Sequence, residues 1–401
     1  MSIGDCRIEQ PEGLNVENYK TLLDIAKNET GLNDFGPVSF LEGLEILVGS
    51  LNTEAKLNAL GDKILRERII SHLKQRLHIE DWYRRHPDID DTPLKAPLIG
   101  ISLPRTGSTA LSFLLAEDPN AHSLRRMEAA QPCPPPCTLK ASNEKIDHDS
   151  AMQQSAGLKP HVPSSEDAPA ECQDLMALDF KSQIFQAFGQ IPAYSDWLLN
   201  ADLTSTYLYE RRALKLLQWR MPHKTWRLKC PTHLIYLEHL NNAFPDARFV
   251  MTHRDPSDVM LSVIDVYADI VGKFTDHLDI PYLAELNIRH WSEGMKRALA
   301  FRDAGNDARF YDIHFRAMHN DPIGEVRGLY QWLGEPVTDA FENGMARWWK
   351  QNSENRDPSS RKDPAAYGVD LNQLRPLFAD YVARMAVWTN RAKQTPAGNE
   401  I

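Results

Sequence analysis

The chain has no apolar run long enough to cross a bilayer, which excludes a helical membrane span. It has no excess of positive charge: 45 Lys and Arg stand against 55 Asp and Glu, for a net charge of −10. That balance excludes broad attraction to nucleic acid or to an anionic membrane, so any anionic ligand needs a local positive pocket. Cysteine is scarce and odd in number, five in 401 residues, which argues against a disulfide framework and for a reducing compartment. Cys133 and Cys137 flank three prolines, and free thiols are expected there; no second Cys pair follows to complete a zinc site. No apolar stretch follows Met1, so no signal peptide is expected and the expected location is the cytoplasm. There is no internal repeat. The apolar fraction, 42%, is ordinary and suffices for a full core.

The most informative segment present is Ala96 to Leu115, APLIGISLPRTGSTALSFLL. Ala96–Leu103 is an almost unbroken apolar run, the pattern of a parallel strand covered on both faces. Pro104–Thr109 reads as a tight turn, and helix formers resume at Ser108. A helix starting there leaves several N–H groups without partners and places positive potential at that end. An anion such as a nucleotide 5′-phosphate suits that position. The loop is not a Walker A loop, because Gly100 and Gly107 are too far apart and Ser108 stands where Lys belongs. Its cation, Arg105, precedes the glycine instead.

Two further strand ends are legible. Ala247–Asp255, ARFVMTHRD, is an apolar strand ending in charge, with Asp255 as helix cap and Pro256 at the first helical position. Arg254 closes that strand, and Ser262 falls in the second turn of the following helix. Thr225–His233, TWRLKCPTH, reads as a strand to Cys230 broken by Pro231, with Lys229 near its end and a helix from Thr232. Ligands of open α/β sheets collect at the carboxyl ends of the strands. The fold class expected is therefore α/β, a parallel sheet flanked by helices with a P-loop-like nucleotide site.

These motifs resemble the sulfotransferases that use 3′-phosphoadenosine 5′-phosphosulfate (PAPS), specifically their bacterial-type branch. P-R-T-G-S-T is similar to the family's 5′-phosphosulfate loop, which implies donor contacts from Arg105, Thr106, Gly107, Ser108, Thr109 and Ala110. Arg254 and Ser262 resemble its 3′-phosphate site. The L-K-x-P element resembles the segment whose Lys aids transfer, which gives Lys229 the bridging oxygen of the leaving group. Glu128 before a Pro-rich stretch resembles the family's acidic segment, with Met127 in place of an aromatic residue, and the resemblance makes Glu128 the general base. His122 is the nearest alternative; His233 and His161 are weaker ones. Arg105 and Lys229 complete the implied catalytic set. The resemblance runs from about Ala96 to at least Gly334. Phe315 replaces an expected Tyr and Ala317 an expected acid; the segment Arg356 to Gly368 resembles the branch's late loop that closes on the nucleotide, which implies a 3′-phosphate contact from Arg361 or Lys362.

The function expected is transfer of a sulfuryl group from PAPS, without a metal, to a hydroxyl of a small-molecule or lipid acceptor. The alternatives are a P-loop kinase-like transferase and a non-catalytic nucleotide-binding protein on the same fold. Residues 1–92 read as an N-terminal helical extension, 93–392 as the transferase domain, and 393–401 as a disordered tail. Residues 131–170 read as a long loop. Helices are expected at Glu171–Gln190, Pro281–Ala304, Thr338–Asn352 and Leu371–Arg391. The aromatic residues of the first of these favour a hydrophobic acceptor. The sequence sets no oligomeric state.

Overall fold

Five apolar stretches form one parallel sheet in the order β2-β3-β1-β4-β5. Its strands are β1 (Leu98–Ser102), β2 (Ala121–Ser123), β3 (Thr225–Lys229), β4 (Arg248–His253) and β5 (Phe310–His314). This computed structural model describes residues 18–138, 165–353 and 363–391. Arg361, Lys362, His161 and the tail 393–401 lie outside the described residues, as does most of the long loop at 131–170.

β1 is central and buried along its whole length, which explains its unbroken apolar run. It pairs with β3, Gly100 opposite Lys229, and with β4, Ser102 opposite Thr252. The chain leaves β1 toward β2 and β3, then crosses to β4 and β5. The order therefore switches at β1, and the crevice above its carboxyl end is where such sheets bind ligands. At Gly100 an added Cβ would lie 3.1 Å from the Lys229 side chain, so the missing side chain lets that lysine lie across the strand.

The N-terminal segment is helical at Tyr19–Thr30, Phe40–Thr53 and Ala59–Arg85. Its apolar residues join the same core as the sheet. Arg76 fixes the seam. It is fully buried, yet its guanidinium donates to the carbonyls of Phe35 (2.7 Å), Pro37 (2.6 Å) and Leu178 (3.0 Å) and lies 3.5 Å from Asp179. A buried cation is tolerated only with such partners.

Three expected elements are corrected. Glu171–Gln190 is not one helix but a short helix Gln173–Ala177 and a 3₁₀ turn Gln183–Ala187. The chain reverses at Phe180, whose φ is +53°, and Asp179 there accepts from Ser39, Ser205 and Thr206 instead of extending a helix. Phe180 and Phe185 are fully buried core residues stacked on each other, so they do not line an acceptor pocket. Leu371–Arg391 is broken between Leu377 and Ala379, just past Pro376, which lacks an N–H for the helix. The segment after β3 begins as a 3₁₀ turn, Pro231–Ile235, before the helix Leu237–Ala243.

Beneath the tip of β4 a buried network joins three elements. Arg302 donates to both oxygens of Asp312 at 2.8 Å, and His253 Nε2 lies 2.8 Å from Asp312 Oδ1. Burial alone would raise the Asp312 pKa; the bonds to Arg302 and His253 overcome it and hold the group at about 2. The folded value lies below the unfolded one, so this stabilisation is complete above about pH 4 and is lost as pH falls toward 2. A shift of that size corresponds to about 2–3 kcal/mol. Asp312→Asn is expected to flatten the acid limb of stability between about pH 4 and pH 2, measured by urea unfolding across that range.

Candidate active site

The turn after β1 builds the floor of the site. Thr106 is buried; its hydroxyl donates to the Leu103 carbonyl (2.8 Å) and shares a 2.7 Å bond with Thr252 Oγ1 of β4. Gly107 caps the following helix, Ser108–Leu115, at φ +92°, a conformation glycine adopts without strain. An added Cβ there would also come within 3.3 Å of Phe315. Ser108, Thr109 and Ala110 form the first helical turn, whose N–H groups face the crevice end of the sheet without partners in the helix.

The second wall comes from β4. Asp255 caps the helix Pro256–Val271 by accepting from Ser257 N at 2.8 Å, and Pro256 opens it, as expected. Arg254 donates to the Arg105 carbonyl at 3.1 Å, and Arg105 Nε donates to Ser262 Oγ at 3.0 Å. The three expected anion-binding side chains are thus joined in one chain of contacts. The Arg254 guanidinium lies 4.7 Å over the Phe315 ring, so the Phe in the expected Tyr position supports the cation by its π face. Partial desolvation, then the adjacent Arg254 charge, pushes the Arg105 pKa down, with Asp265 opposing. Two cations held this close create a demand for an anion between them.

Lys229, buried at the end of β3, donates to Thr109 Oγ1 at 3.3 Å and pairs with Glu171 at 2.5 Å. It therefore reaches the first turn of the helix Ser108–Leu115 from the β3 side, opposite β4 and Arg254. Glu128 is buried; both its oxygens face His122 Nε2 (3.0 and 3.1 Å), and Oε2 also accepts from the Arg125 N–H at 2.9 Å. Glu128 and His122, the two leading candidates for the base, are in contact. His122 is half-buried, lies edge-on to Trp226 at 4.4 Å, and lines an open cavity with Ser123, Arg125 and Pro169.

A polar floor with two facing arginines on one side and a lysine–carboxylate pair on the other suits transfer of an anionic group. Residues 97–339 match the Sulfotransferase family. The chain belongs to that family, on its bacterial branch. Over most of its length this sulfotransferase is similar to the crystal structure of sulfotransferase STF9 from Mycobacterium avium. The identity is 29%, with 91% of this chain and 96% of that one covered and a TM-score of 0.82. It is similarly close to STF1 from Mycobacterium tuberculosis H37Rv, at 27% identity, 91% and 99% coverage and a TM-score of 0.81. The omega-hydroxy-beta-dihydromenaquinone-9 sulfotransferases Stf3 of Mycobacterium bovis and Mycobacterium tuberculosis are 30% identical over 115 residues. That match covers 28% of this sulfotransferase and only 29% of each relative's length.

Glu171 was absent from the expected set. It lies 58 residues before Lys229, on the strand-like segment that follows the long loop, and no spacing in the sequence links the two. Only the backbone pairing of that segment, Ala170 N–H to Leu124 carbonyl and Cys172 N–H to Lys229 carbonyl, brings it to the site.

Proposed function

We propose that this sulfotransferase moves the sulfuryl group of PAPS to a hydroxyl of a hydrophobic, lipid-like acceptor. The observation that carries the reading is the contact chain Arg254–Arg105–Ser262 beside Lys229–Thr109, all at one rim of the sheet. Arg254 and Ser262 hold the 3′-phosphate, with donor geometry suited to phosphate oxygens. Arg105 and the amides of Thr106, Gly107, Ser108, Thr109 and Ala110 hold the 5′ end. The acceptor oxygen attacks sulfur in line. The new O–S bond forms as the bond from sulfur to the phosphate oxygen breaks, and adenosine 3′,5′-diphosphate leaves. Lys229 meets the charge that grows on the bridging oxygen. Glu128 takes the hydroxyl proton, with His122 and the Arg125 N–H fixing its carboxylate. Residues 1–92 serve as a helical extension that buttresses the transferase domain, 93–392.

A second assignment of the base rests on its own observation. Glu171 is the carboxylate in contact with Lys229. Once Lys229 turns to the donor, Glu171 is released beside the reacting oxygen. The relative sizes of the Glu128→Gln and Glu171→Gln effects on turnover separate the two.

For the acceptor, support comes from Met127, an exposed apolar side chain next to Glu128, and from the hydroxylated menaquinone derivative in the name of the Stf3 relatives. The test is incubation with sulfur-labelled PAPS and either an ω-hydroxylated isoprenoid quinone or a disaccharide. Label is expected in the organic phase with the quinone. Label on the sugar alone would contradict the acceptor class, and no transfer to any hydroxyl despite donor binding would favour a non-catalytic protein.

A further inference from the structure

Behind the Lys229 end of β3 lies a group of side chains that the transfer does not use. Cys172, Glu210 and His233 bring a thiol, a carboxylate and an imidazole within 4.8 Å of one another. All three are fully buried. Neither oxygen of Glu210 has an N–H or O–H partner, and Nε2 of His233 has none; the Cys172 thiol is the polar group beside the carboxylate. Tyr207 Oη lies 3.0 Å from the other ring nitrogen of His233, Nδ1.

A buried carboxylate without such partners either keeps its proton or meets a cation. With no partner for Nε2 of His233 or for either oxygen of Glu210, these atoms are open to a cation, which displaces the thiol and acid protons when it binds.

We propose that Cys172, Glu210 and His233 form a structural site for a divalent transition metal of the zinc class. Thiolate, carboxylate and imidazole are the donors of four-coordinate zinc. One thiolate and one carboxylate neutralise a divalent ion, so the occupied cluster carries no net charge in a dry interior. Donation from Nδ1–H to Tyr207 Oη fixes the tautomer that presents Nε2 as ligand, the outer-sphere arrangement usual for metal-bound histidine. Bonds of about 2.0–2.3 Å place tetrahedral donors about 3.3–3.8 Å apart, so closing the cluster by about 1 Å completes it. The ion ties together the segment bearing Glu171, the turn after Lys229 and the helix Thr204–Gln218. It stiffens the back of the site without entering the reaction.

The experiment strips the purified full chain with a chelator and titrates it with Co²⁺. A near-ultraviolet thiolate-to-cobalt band saturating at about one ion per chain, and displaced by Zn²⁺, is expected. Cys172→Ser should abolish the band, and Glu210→Gln should weaken Co²⁺ binding at least tenfold. The amide replaces a neutral acid of the same shape, so this second variant folds even if the first does not. Zinc should raise the Tm of the wild type and not that of Glu210→Gln. Absence of the band at saturating cobalt overturns the site, as does a band that survives in Cys172→Ser or equal zinc responses of wild type and Glu210→Gln. None of these readouts uses PAPS, so failure here leaves the sulfuryl-transfer reading standing.

Discussion

Glu128→Gln is expected to lower kcat for sulfuryl transfer by about 10²- to 10⁴-fold, the range for removing a positioned general base. Donor affinity should change by less than about threefold, because the carboxylate is held by His122 and the Arg125 N–H, away from the Arg105–Ser262 chain. The amide keeps the shape and can still accept from Arg125, so the fold should survive. Equilibrium binding of adenosine 3′,5′-diphosphate beside single-turnover rates separates the two effects. His122→Asn should lower kcat less than Glu128→Gln if His122 only orients the carboxylate. Should Glu128→Gln keep full activity while Glu171→Gln loses it, the base is the carboxylate on Lys229.

Arg254→Ala is expected to weaken binding of adenosine 3′,5′-diphosphate by about 10- to 100-fold, since a hydrogen bond to a charged group contributes about 1.5–3 kcal/mol. The loss has two parts. One is the proposed contact with the 3′-phosphate. The other is slackening of the turn after β1, because Arg254 holds the Arg105 carbonyl in a residue whose φ is +63°. Arg254→Lys should recover only part of the affinity, as a point charge cannot supply a fork of donors and stacks less well over Phe315. Arg105→Ala should match Arg254→Ala in direction. A nucleotide lacking the 3′-phosphate should lose less affinity in Arg254→Ala than adenosine 3′,5′-diphosphate does; the remaining loss reports the slackened turn, and the difference is the share assigned to that phosphate.

The rim of the sheet was legible because each tip is written locally. An apolar run, a turn residue, a cation and a helix start lie within a few residues at Arg105, Lys229 and Arg254, and parallel strands place such tips on one edge. The cap at Asp255 and the helix from Pro256 follow from the same short-range rules. Long-range pairings were not legible. Glu171 reaches Lys229 only through the backbone pairing of its segment with Leu124 and Lys229. The stretch from Gln173 to Phe188 has the composition of a helix, yet the buried carboxylate of Asp179 gathers hydroxyls from three distant residues and the chain turns there. Its phenylalanines are apolar because they fill the core, not because they face a ligand. Cys172, Glu210 and His233 have no regular spacing and meet only in three dimensions.

The proposed transfer requires a doubly anionic adenosine ligand held at one end by Arg105 and at the other by Arg254. Titration calorimetry with adenosine 3′,5′-diphosphate, against ATP with magnesium, tests it most directly. Tight binding of the diphosphate without added metal, and weak binding of magnesium ATP, is the predicted result. No measurable heat with the diphosphate together with strong magnesium-dependent ATP binding would contradict it.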